Sequence, residues 1–430
     1  MQKILFISIF IFLSNFTFSQ DEITVMQYNL LGYDSNDYID CNSTNNNLDK
    51  KDSCIRIILD YVKPDIMTVN EISTLTADHD RIKTKCFNIN GVTTFKRGTI
   101  TNYSGSSICN QIYYNSAKLY MVTSDAISND LRDINIYKFR YTKTDISGNY
   151  IYLYCIIAHL KAGTYDEDAA ERAQMTSYIM SNMSNNMSAG ENVLVMGDFN
   201  LYTGYEQAYQ NLIANSNVNI KFFDPVDAFG DWGNNSYYAQ YHTQSTHTSD
   251  NGCASTGGLD DRFDFILATN SIMNATKKVS YISNSYMALG QDGTRYNSSL
   301  NTSSNEVVPN YVAKALYDNS DHLPVVLKLK IETGASGIEE FSEFNGLEIR
   351  FKNPSSENFN LIIDNTDNYK GELSVEIYSL LGQNLFLENI NIVQGLNQLN
   401  IKTNNIKAGV YILKTTDKDK KTKSCKLILE

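Results

Sequence analysis

Val193-Leu-Val-Met-Gly-Asp-Phe-Asn200 runs four apolar residues into a glycine, a carboxylate and a carboxamide. Unbroken apolarity over residues 193–196 predicts a strand buried on both faces, because a half-exposed strand would alternate. Gly197 ends that strand where a missing side chain permits close approach. Asp198 and Asn200 stand two apart, so extended backbone aims both the same way. Taken alone, the pair is an Asx turn closing a loop. A carboxylate at the lip of a core strand is costly to desolvate without partners, so the remaining chain has to be searched for them.

The same kind of ending recurs. Residues 23–31 read as a strand with Asn29 near its end, and residues 65–71 as a second that finishes on Glu71. Glu is rarely buried without a partner, which makes Glu71 either exposed or a ligand. Residues 151–158 form another apolar run landing on His159, and residues 261–267 carry Asp264. Ser320-Asp-His-Leu-Pro324 opens the last strand of this region, with Asp321 and His322 at its start. Residues 53–62, stopped by Pro64, and residues 167–183 have helical spacing. Several strands follow one another without helices between, so a mixed-sheet architecture with helices outside is expected. Hard oxygen ligands and two imidazoles converging on one edge are what metal-assisted phosphoester hydrolysis requires.

Bulk properties narrow the setting. The chain has 430 residues, 42% of them apolar, enough for two or three domains. Lys3 precedes a short apolar core over residues 4–13 and then Ser19-Gln20, the pattern of a secretory signal peptide over residues 1–19. The seven cysteines form no metal-binding spacing; Cys41 with Cys54 and Cys86 with Cys109 are close enough in sequence for local disulfides in an oxidising compartment, and the sequence leaves the connectivity open. Net charge is −12, of which residues 4–336 hold −11 (24 Lys and Arg against 35 Asp and Glu). Such a surface does not hold nucleic acid by charge, so cations must bridge any phosphate it handles.

Read in order, Met26-Gln-Tyr-Asn-Leu30, Pro64-Asp-Ile-Met-Thr-Val-Asn-Glu71, Ala158-His-Leu160, Gly197-Asp-Phe-Asn200, Arg262-Phe-Asp-Phe-Ile-Leu267 and Ser320-Asp-His-Leu-Pro324 resemble the endonuclease/exonuclease/phosphatase superfamily. That resemblance implies an α+β, four-layer α/β/β/α sandwich of the deoxyribonuclease I type over residues 21–331. It also implies a divalent cation, Mg²⁺ with Mn²⁺ or Ca²⁺ as alternatives, held by Glu71 and Asp321 with Asn29 ligating or orienting. Asp198 would orient or deprotonate the attacking water and Asn200 would hold a phosphate oxygen. His159 would donate to the phosphate, while His322, backed by Asp264, would act as base or transition-state stabiliser. Arg140, 19 residues before His159, matches a phosphate-contacting Arg of some relatives. One departure stands out: residues 104–111 lack the Tyr and Glu that deoxyribonuclease I-type enzymes carry there. His242 and His247 read as surface histidines of a polar loop.

Residues 332–345 read as a linker, and the pattern beyond is purely β, a small sandwich of about seven strands. Phe351-Lys-Asn-Pro354, Val375-Glu-Ile-Tyr-Ser-Leu-Leu-Gly-Gln383, Gly409-Val-Tyr-Ile412 and Lys426-Leu-Ile-Leu429 resemble the C-terminal sorting domain of the type IX secretion system. Residues 346–430 are therefore expected to address the chain to that machinery. The expectation for the whole is a secreted, monomeric, metal-dependent hydrolase of phosphodiester bonds, foremost an extracellular nuclease. A sphingomyelinase-like or small-phosphomonoester hydrolase is the enzymatic alternative, and a non-catalytic surface adhesin the non-enzymatic one.

Overall fold

The computed structural model describes residues 20–34, 41–145, 148–333, 342–344, 347–351, 353, 355, 358–365, 369–403 and 405–429. The signal peptide expected over residues 1–19 lies outside them, as does most of the 332–345 linker. Two units divide the chain, Gln20–Thr333 and Gly334–Glu430.

The N-terminal unit begins with β1 (Gln20–Tyr33), α1 (Leu48–Val62), β2 (Ile66–Ser73) and α2 (Thr76–Ile82). Strands β3 (Phe95–Arg97), β4 (Ile108–Asn115), β5 (Leu119–Ile127), β6 (Ile134–Thr144) and β7 (Tyr150–Ile157) follow. After α3 (Asp166–Asn186) come β8 (Val193–Asp198), α4 (Gln207–Ile213), β9 (Phe222–Phe223) and β10 (Asp264–Thr269). The unit closes with α5 (Asn270–Met273), β11 (Val279–Tyr281), β12 (Met287–Ala288), α6 (Asn310–Asn319) and β13 (Val325–Glu332).

These strands make two mixed sheets, one in the order β11-β13-β1-β2-β4-β3 with β12 beside β13, the other β5-β6-β7-β8-β10-β9. In each, one central pair is parallel, β1 with β2 and β7 with β8. Both sheets are buried on two sides, which explains the continuous apolar runs. Leu194 and Met196 of β8 face Val25, Ile66 and Leu327 of the other sheet. Val193 and Val195, pointing oppositely, meet Met175, Ile179 and Met183 of α3. On the far side of the first sheet, Met26, Tyr28, Met67 and Val69 pack under Ile55, Ile58 and Leu59 of α1 and Val312 and Leu316 of α6. Each such aliphatic side chain, fully buried, contributes about 1.5–3 kcal/mol.

Local chemistry sets the ends. Asn47 caps α1 by accepting from the Lys50 N–H at 3.0 Å, five residues before the spacing predicts a start. Two charged residues near its start are buried: Lys51 and Asp52 are each almost inaccessible, while Asp49 and Lys50 are exposed. Pro64 forbids the helix to continue, and Lys63 leaves it in the left-handed region with its N–H on Leu59 O.

The local disulfides that the spacing allows do not form. Cys41 pairs with Cys253 across 212 residues, with Cα atoms 4.4 Å apart. Cys54 faces the core from α1, and Cys86 and Cys109 are buried thiols as well. His242 and His247 are also not on the surface: His242 is hydrogen-bonded between Trp232 O and Leu259 O, and His247 stacks on Tyr317 at 4.0 Å.

The C-terminal unit holds β14 (Ser342–Phe344), β15 (Leu347–Arg350), β16 (Asn358–Asn365), β17 (Gly371–Ser379), β18 (Asn384–Ile392), β19 (Gly395–Lys402), β20 (Gly409–Asp417) and β21 (Thr422–Leu429). They form two four-stranded sheets, β14-β15-β16-β19 and β18-β17-β20-β21, around Leu347, Leu361, Ile363, Val375, Ile377, Leu413 and Leu427. Two strands exceed the expectation. β14 falls within the anticipated linker, and the largely exposed β18 is punctuated by asparagines that mask its pattern. Among the described residues no helix is long and apolar enough to cross a membrane.

Candidate active site

The site lies where the ends of β1 and β2 meet those of β7, β8 and β10. Gly197 makes that meeting close. Its φ is +150°, and a Cβ there would stand 1.7 Å from Ala158 O. Backbone bonds from Ala158 N to Met196 O (3.0 Å) and Leu160 N to Asp198 O (3.0 Å) then set His159 beside Asp198. Across the other edge of β8, Asp198 registers directly opposite Asp264.

Glu71 reaches the site by breaking the regularity of β2. Pairing with both β1 and β4 slips around it, and its φ is +59°. Left-handed backbone at a non-glycine residue costs on the order of 1–3 kcal/mol and persists where surrounding bonds over-determine it. Here Gly32 N–H donates to Glu71 Oε2 at 3.2 Å and Asn29 Nδ2 donates to Oε1 at 3.0 Å. The bulge turns the side chain along the strand axis toward the other sheet.

Asp198 Oδ2 is the hub. It accepts from Asn29 Nδ2 at 2.9 Å and lies 3.6 Å from His159 Nε2 and 3.7 Å from His322 Nε2. Its other oxygen accepts from Asn200 N–H at 3.0 Å, the Asx turn expected from sequence, and Asp198 N–H donates to Asn70 Oδ1 at 2.9 Å. His322 Nδ1 is 2.7 Å from Asp264 Oδ2. Ser320 Oγ donates to Asn29 O at 2.8 Å, tying the Asp321-His322 segment to β1.

Burial and charge assign the protonation states. Burial pushes the Asp198 carboxyl up to about 7, aided by the charges of Asp264 and Glu71 and opposed by His322. Burial works against charging His322, but Asp264 and Asp198 outweigh it and hold the imidazole well above its ordinary value. His159 is driven well below that value by burial, then by the charges of Arg132 and His322. Two imidazoles one carboxylate apart are thus shifted in opposite directions, His322 toward its charged form and His159 toward its neutral one.

Seven of the residues singled out from sequence meet here: Asn29, Glu71, His159, Asp198, Asn200, Asp264 and His322. Asp321 is adjacent through the chain, with Oδ2 accepting from Ser255 N–H at 2.9 Å and Gln244 Nε2 at 3.2 Å. Arg140 is not brought to the site. It pairs with Tyr152, seven residues up β7 from His159, roughly 20 Å at strand spacing, and is sandwiched by Tyr120 and Tyr150. The arginine that reaches the site is Arg132, in the loop before β6, whose Nη1 lies 2.9 Å from His159 Nδ1. Gln244, 2.7 Å from His322 Nε2, was likewise not foreseen. Both sit in polar loops whose composition carries no periodic signal.

The donors fit a divalent cation. Glu71, His159 and Asp198 each offer one ligand atom, all within 4.8 Å of one another. Asp321 is outside that trio, but its Oδ1 and that of Asp264 are buried with no hydrogen-bond partner among the described residues. Four buried carboxylates, Glu71, Asp198, Asp264 and Asp321, share this edge with the buried Lys51, whose charge acts on Asp321 and Glu71, and with Arg132.

Comparison with known proteins gives the following. No curated protein matches the chain at a significant level. Among solved structures, the chain is similar to D. rerio TDP2 complexed with single strand DNA product: 15% identity over 72% of this chain and 98% of that one, TM-score 0.44. It is similar to the human Nocturnin catalytic domain with bound sulfate at 14% identity over 72% and 97%, TM-score 0.40. An endonuclease/exonuclease/phosphatase from Beutenbergia cavernae matches at 12% identity over 94% and 100%, TM-score 0.39. Residues 351–430 match the family model of the secretion system C-terminal sorting domain. Those residues are a sorting domain, and they mark the chain for export by type IX secretion to the cell surface or beyond it.

Proposed function

We propose that residues 20–333 form a metal-dependent phosphodiesterase, foremost an extracellular nuclease, that uses Mg²⁺. The observation that carries this reading is Asp198 Oδ2, held 2.9 Å from Asn29 and within 3.7 Å of the His159 and His322 imidazoles. Helices outside two face-packed sheets support the four-layer α/β/β/α reading of the same unit.

Glu71, with Asn29 orienting it, would hold the cation together with ligand atoms of His159 and Asp198, and Asp321 would add a further carboxylate. When bound, the cation supplies positive charge to the non-bridging phosphate oxygens as negative charge builds there. Asp198, raised to about 7 by burial, takes the proton of the attacking water, since a base works best with a pKa near the working pH. His322, its Nδ1 fixed by Asp264 and its Nε2 at 2.7 Å from the Gln244 amide, would act as base or transition-state stabiliser. Asn200, at φ +50° on the Asx turn, donates from Nδ2 to Leu160 O at 3.3 Å, beside His159, and would hold a phosphate oxygen. Arg132 adds a second cation beside His159. Water oxygen bonds to phosphorus, the ester P–O bond breaks, and the leaving oxygen is protonated from solvent.

The net of −11 on this unit favours one rival, a small phosphoester substrate, which suffers less repulsion than a polymer. Incubating the purified protein with plasmid DNA, RNA, sphingomyelin and bis(p-nitrophenyl) phosphate, with and without EDTA, separates the readings. DNA or RNA cleavage abolished by EDTA is expected, and His322→Ala or Asp198→Ala should slow it on the order of 10²–10⁴-fold. Cleavage of lipid alone would sink the nuclease reading, and EDTA-resistant activity the mechanism.

A further inference from the structure

The Cys41–Cys253 link sits one short segment away from two carboxylates of the site. On one side, Asn46 Nδ2 donates to the carbonyls of Leu31 and Gly32 at 2.9 and 3.0 Å. Leu31 N–H in turn donates to Asn29 Oδ1 at 2.9 Å, and Gly32 N–H to Glu71 Oε2 at 3.2 Å. On the other side, Asn251 Oδ1 accepts from the N–H groups of Cys253 and Ala254 at 2.9 and 2.8 Å. Two residues past Cys253, Ser255 N–H donates to Asp321 Oδ2 at 2.9 Å. Leu31, Cys41, Cys253 and Ala254 pack together as a small apolar cluster apart from the main cores. Four side chains bury too little area to order two loops by themselves, because each fixed residue loses about 1–2 kcal/mol of backbone entropy.

We propose that the Cys41–Cys253 disulfide is a positioning element of the phosphoesterase site: it keeps the Gly32 and Ser255 N–H donors in place, so that in the oxidised chain Glu71 and Asp321 are already held in their cation-binding arrangement, and in the reduced chain Mg²⁺ has to impose it. This rests on the reading of residues 20–333 given above. Forming the link removes two electrons and two protons from the two thiols as the S–S bond is made; a disulfide-bearing exchange partner accepts them and is cleaved to its own two thiols. Disulfides persist outside the reducing cytosol, so an exported chain gains its full Mg²⁺ affinity on the way out. The remaining cysteines of the N-terminal unit (54, 86, 109 and 155) are buried thiols, which leaves this bond as the one a reductant addresses there among the described residues.

The test uses the full chain, oxidised and reduced, titrated with Mg²⁺ alone while thermal unfolding is followed. Oxidised protein should melt higher as Mg²⁺ is added. Reduced protein, with unchanged far-UV circular dichroism at 25 °C, should need at least tenfold more Mg²⁺ for the same rise. Hydrolysis of bis(p-nitrophenyl) phosphate should show the same displaced Mg²⁺ midpoint, with most of the rate recovered at saturating Mg²⁺, which a general loss of structure would not allow. The Cys41→Ser/Cys253→Ser variant should behave as the reduced chain, and glutathione disulfide should restore the wild type but not the variant. Midpoints within twofold of one another, a reduced chain that unfolds outright, or no Mg²⁺ response in either form overturns the proposal. Oxidised protein that responds to Mg²⁺ yet hydrolyses no phosphoester sinks the functional reading instead, and the melting data still decide this one.

Discussion

Gly197 carries more of the site than its missing side chain suggests. With a Cβ built 1.7 Å from Ala158 O and φ at +150°, any other residue must push β7 and β8 apart at the point where His159 and Asp198 leave them. Gly197→Ala should therefore lower stability by about 3 kcal/mol or more, the range reached when strain falls on rigid backbone, and abolish hydrolysis. Chemical denaturation measures the first effect, and a variant as stable as the wild type would mean the two strands are not held this close. The grouping of these side chains was legible for a simple reason: polar groups that end buried strands need partners, and Asn29, Glu71, His159, Asp198, Asn200, Asp264 and His322 lie together. Arg132 and Gln244 were not, because nothing in a polar loop states which way a side chain turns. Arg140 misled through sequence distance alone, since β6 runs antiparallel to β7 and carries Arg140 away from His159.

Elements were read well where periodicity was strong and poorly where polarity was buried. The central strands β1, β2, β7 and β8 stand within a few residues of expectation, whereas α1 starts five residues early on a turn that hides Lys51 and Asp52. The short helix α2 shows the same concealment and allows a measurement. His79 is fully buried, with Nε2 at 2.8 Å from Ser73 O and Nδ1 at 3.0 Å from the Gln111 amide, and burial pushes it down to about 4. An unfolded chain protonates this histidine near pH 6.5, so between pH 6.5 and 4 the unfolded state binds a proton that the native state refuses. Stability therefore rises with pH across that window and is lost as pH falls through it, by about 2.5 kcal/mol between pH 7 and 4.5 for this group. His79→Gln, which keeps a donor for Ser73 O, should shrink the difference in unfolding free energy between those two pH values by roughly that amount. An unchanged difference would show that His79 takes up its proton in the folded chain.

The whole molecule separates address from chemistry, with the N-terminal unit built on its own three apolar cores and the C-terminal unit on another. The hydrophobic rhythm changes from mixed to purely β beyond residue 345, and the compact units part at Gly334. The 212-residue disulfide was not visible in sequence, because nothing local encodes a contact between distant loops. Charge is the one global property that bears directly on substrate. Nucleases that grip DNA with basic surfaces lose roughly 10³–10⁵ in affinity between 50 and 200 mM salt, because each neutralised phosphate releases a counterion. The N-terminal unit offers the reverse, a net of −11 with 24 cations among 35 anions. Raising salt screens repulsion over a Debye length that shrinks to about 8 Å at physiological strength. At saturating Mg²⁺, kcat/KM on plasmid DNA should accordingly stay level or rise between 50 and 200 mM NaCl, while the rate on bis(p-nitrophenyl) phosphate should hardly change. Initial rates across a salt series check this. A steep fall on DNA would mean that a basic tract engages the backbone, and contact with the polymer would then have to be sought away from the carboxylate-rich edge that carries Asp198.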